Sequence, residues 1–105
     1  MDIIKFSTNW NHKLSCNVFT TIRPASQKYK KGNQYLIEAN IKDSEQFKAE
    51  CLFIFKFKIY DIPELCYYLD TGYSKVESIQ ILSKLYPSNF ETLDFFVILL
   101  KKVIE

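Results

Sequence analysis

The stretch from Phe47 to Tyr60, FKAECLFIFKFKIY, constrains the fold of this chain more than any other. Every second residue on one side of it is apolar, whereas the other side mixes charged residues with Leu52 and Ile54. Successive side chains of a strand point to opposite faces, so this alternation predicts one long strand with a single buried face. A strand of this length in a small protein is expected to bend within a curved sheet or barrel. The phenylalanines expected to fill the interior are Phe53, Phe55 and Phe57.

Four shorter strands and three short helices are predicted around this strand. In chain order they are strands at 2–7, 18–22, 34–41 and 93–103, and helices at 10–16, 61–71 and 75–86. Gly72 is expected to stop the second helix, and Ser74 with Glu77 forms a capping box for the third. Because strands dominate and helices do not alternate regularly with them, residues 1–105 are predicted to be a single α+β domain. Its sheet is expected to be curved, with the last strand in a central position.

Charge is unevenly distributed along the chain. The formal net charge is only +2, yet no acidic residue occurs between Ile3 and Ile37, where six basic residues lie. Residues 61–105 instead carry seven acids and four lysines, a balance of −3. Such asymmetry can mark a basic face that meets a polyanion. Solvation of loops and strand edges by the same lysines explains it equally well.

The cysteines, the single histidine and the two glycines limit the kinds of functional site that this chain can form. Three cysteines without a C-x-x-C pair form neither a disulfide framework nor a zinc knuckle, and reduced thiols point to the cytoplasm. His12 and Cys16 are four residues apart on the predicted first helix, so they could form a nucleophile pair or half of a metal site. A surface histidine above a partly buried thiol is the simpler interpretation. With two glycines there is no phosphate loop or dinucleotide motif, and neither a metal nor a cofactor is expected.

Membrane association is not expected. The N-terminus has an acid at position 2 and lacks the long apolar core of a signal peptide. The longest apolar run, 95–100, is six residues and far too short to span a bilayer.

The strand and loop from Thr20 to Gly32 hold the most informative candidate site. Thr21 and Arg23 can bind a phosphate or a base edge, and Tyr29 in the following loop can stack on a base. The same residues also have a non-functional explanation, because threonine favours strands and lysine keeps a loop soluble. The predicted ligand-binding set is Thr21, Arg23, Lys28, Tyr29, Lys30 and Lys31.

The order of these motifs resembles the ASCH-domain family of the PUA-like superfold. The resemblance rests on a short N-terminal strand and helix, T-T-I-R at 20–23, Y-K-K-G at 29–32, the capped helix from Ser74, L-Y-P at 85–87 and the strand F-F-V-I-L-L at 95–100. It covers nearly the whole chain, although each motif is short. The resemblance implies a small PUA-like β-barrel of about five strands with flanking short helices. It also implies a cleft beside the T-I-R strand and a partner that is RNA or a modified nucleoside.

One branch of that family is a small amidohydrolase that deacetylates acetylcytidine with a lysine, a threonine and a glutamate. The threonine corresponds to Thr21, but the lysine position holds Val18 and the glutamate position falls at about Thr71, next to Asp70. A valine can neither act as a base nor hold a charge. Lys13 or Asp70 could stand in only if the local geometry differs from that of the family. The resemblance therefore favours a protein that is not an enzyme.

Three functional hypotheses follow. The first is a non-catalytic module that binds RNA or a nucleotide near Thr21 and Arg23. The second is an amidohydrolase acting on an acylated nucleoside through Thr21 and Asp70. The third is a protein-binding or inhibitory module of the kind that phages encode, with a surface formed by Tyr67, Tyr68 and Tyr73, although these tyrosines could equally pack on the sheet. No pattern in the sequence specifies an oligomeric state.

Overall fold

The structure, a computed structural model, describes residues 1–39 and 46–104. It contains β1 (Ile3–Phe6), β2 (Val18–Pro24), β3 (Gln34–Ala39), β4 (Phe47–Lys58), α1 (Glu64–Thr71), α2 (Lys75–Leu85) and β5 (Asp94–Lys102), with 3-10 segments at Trp10–Ser15 and Ile59–Asp61. These elements confirm the predicted α+β class. The predicted end of the third strand at 40–41, and 42–45 of the polar connection after it, lie outside the described residues.

The five strands form one mixed sheet with the order β1-β3-β4-β5-β2. β1 pairs parallel to β3, and the other neighbours are antiparallel. The predicted central position of the last strand is confirmed, since β5 lies between β4 and β2. β1 and β2, which are close in sequence, occupy the two opposite edges.

The predicted barrel is not confirmed, because in the described part of the chain β1 and β2 do not pair with each other. Side chains form hydrogen bonds with backbone groups of β1 that such pairing would use. Arg23 and Lys28 donate to carbonyl oxygens on the free edge of β1, at Lys5 and Ile3. Burial raises the pKa of the Asp70 carboxyl, and the Ile22 amide, on the free edge of β2, lowers it. The two edges are thus joined across a gap by side chains, and this gap contains the candidate site.

A β-bulge in β4 overturns one prediction. The β4–β5 register shifts between Cys51 and Phe53, so Leu52 is an extra residue and the alternation of faces reverses after it. Phe53 and Phe55 are consequently 47% and 55% exposed, and the prediction that they fill the interior is wrong. Ile54 packs against the interior in their place.

Two hydrophobic clusters lie on opposite sides of the sheet. The inner face, the side that carries Phe19, Cys51 and Leu100, holds the larger cluster together with residues of β1 and β3. The outer face, the side that carries Ile22, Val97 and Phe55, packs at one end against α1 and α2. The helices leave the remainder of the outer face exposed.

The signals at Gly72 and Ser74 mark helix ends as predicted, but α1 begins at Glu64 and not at 61, because Ile59–Asp61 form a 3-10 segment. The Ser74 hydroxyl accepts from the Glu77 amide at 3.3 Å, and Gly72 ends α1 with a φ of 82°. In α2, Leu82 is buried, whereas Val76 and Leu85 near the two ends of the helix are exposed. The segment Trp10–Ser15 is a 3-10 helix interrupted by positive φ angles at Asn11 and His12, so α-helical spacing cannot bring His12 onto the face of Cys16.

Candidate functional site

A cavity of about 120 Å³ lies in the gap between the free edges of β1 and β2. The walls are completed by the 3-10 segment Trp10–Ser15, the end of α1 and one side of α2. Its aromatic lining comes from Phe6, Trp10 and Tyr86. Its polar and charged lining includes Lys13, Thr21, Arg23 and Asp70. Two residues predicted as ligands from the sequence, Thr21 and Arg23, are therefore together here, and so is Asp70.

A buried ion pair joins Lys13 to Asp70 at the wall of this cavity. The two side chains are only 5% and 7% exposed. Burial lowers the pKa of Lys13 and raises that of Asp70, and the attraction between the two groups opposes both shifts. Isolating two charges from water is costly, and a buried ion pair is weak evidence of a stabilising role. Perturbed ionisable groups beside a cavity point instead to a functional site.

Arg23 organises the opposite side of the cavity. Its Nε donates to the Thr21 Oγ1 at 2.9 Å, and its Nη2 donates to the Lys5 carbonyl oxygen at 2.6 Å. The guanidinium carbon lies 4.6 Å from the centre of the Phe6 ring, and the Lys13 ammonium lies 5.2 Å from the same ring. An oxygen that accepts from Arg23 keeps its own O–H as a donor, so Thr21 retains a hydrogen for a ligand.

The loop after β2 does not contribute to the cavity lining. The Lys28 ammonium is bound to the Ile3 carbonyl oxygen, and Lys30 is exposed. Lys31 lies 4.8 Å from the centre of the Phe53 ring, on the outer face of the sheet. The structure therefore separates Lys30 and Lys31 from Thr21 and Arg23, while Lys28 binds the β1 edge beside Arg23 without lining the cavity.

Tyr29 is held by aromatic packing. Its ring centre lies 6.1 Å from that of Tyr35 and 6.4 Å from that of Phe96. Burial raises the pKa of Tyr29. With Lys30 it lines a second, open groove that also includes Lys56 and Asp94, away from Thr21.

Val18 and Thr71, which stand at the lysine and glutamate positions of the amidohydrolase branch, have different surroundings in the structure. Val18 is 44% exposed at the start of β2 and is not part of the cavity lining. Thr71 is buried, where its hydroxyl lies 2.7 Å from that of Ser78 and donates to the Tyr67 carbonyl oxygen at 3.0 Å. The ammonium and the carboxylate of the cavity come instead from Lys13 and Asp70.

The predicted tyrosine surface is only partly present. Tyr67 is fully buried and packs between the helices and the sheet, whereas Tyr68 and Tyr73 are exposed. The Tyr73 ring packs edge-on against Trp10 at 6.0 Å. Tyr67 therefore belongs to the core, which confirms for this residue the alternative that it packs on the sheet.

The thiols do not form a cluster suited to a metal. Cys16 is exposed, Cys51 is buried and Cys66 is partly buried, and burial raises the pKa of the last two. Within residues 1–39 and 46–104, no three His, Cys, Asp or Glu side chains are grouped so as to hold a metal ion. Over the same ranges no helix has the length and apolarity needed to cross a bilayer.

Sequence reasoning missed the cavity walls contributed by Phe6, Trp10 and Tyr86, and named Lys13 only as a substitute. Asp70 was named only through the family resemblance, although the sequence itself carries a signal for it. It lies three residues after Tyr67 in α1, on the same buried helix face, where an acid is unexpected without a partner. No comparable signal marks Lys13, because the 3-10 segment has no fixed apolar period.

The comparisons with known proteins identify no relative: no protein-family model, curated protein or solved structure matches the chain. The ASCH resemblance accordingly stays a prediction.

Proposed function

We propose that the cavity between β1 and β2 binds one base of RNA or of a nucleotide, and that the protein is a non-catalytic binding module. The observation that supports this proposal is the convergence of Thr21, Arg23, Lys13 and Asp70 on one small cavity with aromatic walls. The site takes a single heterocycle and its immediate substituents, because a cavity of about 120 Å³ cannot enclose a longer strand.

The lining offers what recognition of a base requires. The Asp70 carboxylate accepts from an exocyclic amine, whereas Lys13, Arg23 and the Thr21 hydroxyl donate to ring carbonyl oxygens. The rings of Trp10 and Tyr86 provide apolar surfaces for the flat faces of the base. Lys5 at the edge of the gap adds a cation for a phosphate.

The ASCH resemblance leads independently to the same place, because it implies a cleft beside the T-I-R strand. The PUA-like barrel is part of the proposal on that basis, and a cytoplasmic location is part of it because the cysteine usage points to reduced thiols. In this chain the β1–β2 gap, bridged by Arg23 and Lys28, takes the place of strand pairing.

Fluorescence of Trp10 provides a direct test, since it is the only tryptophan of the chain and it lines the cavity. Titration with nucleosides, nucleoside monophosphates and acetylcytidine is expected to change its emission in a saturable way. Asp70→Asn and Arg23→Gln should weaken binding about tenfold or more, since each removes a charge-assisted hydrogen bond. Lys56→Gln, at an exposed position outside the cavity, is the matched control.

Circular dichroism would show that each variant is folded before its affinity is compared. Absence of any saturable change at low salt contradicts the proposal. Equal affinities in the wild type and both cavity variants contradict it as well.

A second candidate function is hydrolysis of an acylated nucleoside such as acetylcytidine. The specific observation in its favour is that a lysine, a threonine and a carboxylate, Lys13, Thr21 and Asp70, line one cavity despite the changes at 18 and 71. Incubation with acetylcytidine followed by chromatography would detect cytidine. Cytidine production is expected to disappear in Lys13→Met and Thr21→Val, and activity that survives both substitutions excludes these roles.

A further inference from the structure

The outer face of β4 carries two phenylalanines that the fold leaves in solvent. Phe53 and Phe55 are 47% and 55% exposed, and their rings stack with centres 6.3 Å apart and planes 24° apart. The helices reach only the far end of the strand, where Phe57 is partly buried. From this arrangement we propose that the outer face of β4 binds single-stranded nucleic acid by stacking bases on Phe53 and Phe55. The surface is separate from the Thr21 cavity, and the proposal does not depend on that site.

The bulge at Leu52 is the reason these rings are exposed. Without the extra residue, the alternation would direct Phe53 and Phe55 into the interior with Cys51. Bulges that redirect side chains are common next to functional sites. Two adjacent aromatic rings left in water form an apolar patch of the kind that marks an interaction surface.

The surroundings of the two rings favour a polyanion. The Lys31 ammonium lies 4.8 Å from the centre of the Phe53 ring. Lys101 is on the same face in β5, in register with Glu50 of β4 and Val18 of β2. Among the described residues, Lys31 and Lys101 against Glu50 make the border of the phenylalanine pair basic.

Aromatic rings on an open sheet face together with lysines are the combination that single strands use, because each base offers a flat face for stacking. A duplex keeps its bases inside and would contact only the lysines. A second copy of this chain fits less well, since a two-fold interface centred on Phe53 and Phe55 would bring the same lysines of both copies together.

The test is fluorescence anisotropy of a labelled oligouridylate of eight nucleotides at low salt, with a duplex RNA of equal length in parallel. The wild type is expected to prefer the single strand. The double variant Phe53→Ala/Phe55→Ala should bind it roughly tenfold or more weakly, in line with the loss of two stacking contacts. Tyr68→Ala is the matched control, because Tyr68 is also 47% exposed but lies on α1, and it should bind as the wild type does.

Salt dependence tests the lysines separately. Replacement of Lys31 and Lys101 by glutamine should reduce the slope of log affinity against log salt by about 0.7 for each lysine removed. An unchanged slope would show that these lysines do not meet phosphates and would overturn their part of the proposal.

Three results overturn the proposal as a whole: no binding at low salt, equal binding of single strand and duplex, or equal affinity of the wild type and the double variant. Sedimentation velocity can give a fourth result that overturns the proposal. A wild-type dimer that becomes a monomer in the double variant would identify the face as an interface between copies. Trp10 emission with a mononucleotide reports only on the cavity, so failure of one proposal is distinguishable from failure of the other.

Discussion

Arg23 in β2 donates a 2.6 Å hydrogen bond to the backbone carbonyl oxygen of Lys5 in β1, although the two strands occupy opposite edges of the sheet. β1 has only four residues, and among the described strands it pairs with β3 alone. Its second edge is therefore held by side chains, with Arg23 and Lys28 as the donors. The same guanidinium positions the Thr21 hydroxyl, so the closure of the edge and the geometry of the cavity depend on one side chain.

Replacement of Arg23 by alanine is expected to loosen β1 more than the rest of the sheet. Loss of hydrogen bonds to a charged group should cost about 1.5–3 kcal/mol of unfolding free energy. Hydrogen exchange should show reduced protection of the β1 amides while β4 and β5 stay protected.

Lys58→Ala is the control for the Arg23 experiment. Lys58 forms an exposed ion pair with Asp94 at 2.8 Å, and loss of such a pair costs about 1 kcal/mol or less. Unchanged protection of β1 in Arg23→Ala would contradict the bridging role.

The Lys13–Asp70 pair should show strong coupling in a double-mutant cycle. Each single substitution, Lys13→Met or Asp70→Asn, removes or neutralises one partner and is expected to cost about 3–5 kcal/mol. The double variant has neither buried charge, so its loss of unfolding free energy should be far smaller than the sum of the losses in the two single variants. Urea denaturation of the four proteins measures this, and additive losses would show that the two side chains do not interact.

Tyr67 is expected to make stability sensitive to alkaline pH. It is fully buried, its hydroxyl donates to the Ile59 carbonyl oxygen at 2.5 Å, and burial raises its pKa well above the ordinary value of 10.0. Above pH 10 the unfolded chain loses this proton while the folded protein retains it, so the contribution of Tyr67 decreases as pH rises.

Comparison of the wild type with Tyr67→Phe isolates that effect. At pH 8 the wild type should be more stable by about 1 kcal/mol, the usual contribution of one hydrogen bond. The difference should shrink between pH 10 and pH 11 in urea denaturation. A difference that stays constant over this range would mean that the hydroxyl is not protected from solvent.

Phe55 and Phe95 lie on the same outer face of the sheet, but the bulge puts Phe55 beyond the part that the helices cover, whereas Phe95 packs with Tyr67 and Leu82 of the helices. Phe95 in β5 is fully buried, and Phe95→Ala should cost about 3–5 kcal/mol. Phe55→Ala should cost about 1 kcal/mol or less, because the ring is more than half exposed. Thermal or urea denaturation compares the two, and equal losses would contradict the change of faces after Leu52.

Local patterns were sufficient to predict most elements of the fold. Alternation identified β4, the Ser74 cap identified the start of α2, and Gly72 identified the end of α1. Each of these signals acts within a few residues of the structure it specifies. The central position of β5 followed from its apolar character on both faces.

The errors arose where distant parts of the chain decide the outcome. No glycine or proline marks the bulge at Leu52, which is set by the pairing of β4 with β5. Lys13 and Asp70 are 57 residues apart, and their pairing follows from the packing of α1 against the 3-10 segment. Thr21 and Arg23 were found because they share one strand, whereas the loop from Lys28 to Lys31 turns away from them.

The strand order also has a consequence for the time at which the cavity forms during folding. β1 and β2 are separated in the sheet by all three remaining strands, including the C-terminal β5. A growing chain that has reached only β4 therefore lacks both Asp70 and the strand that holds β2 in place. The cavity should be among the last features to form, and ligand binding should be absent from every partly folded state that lacks β5.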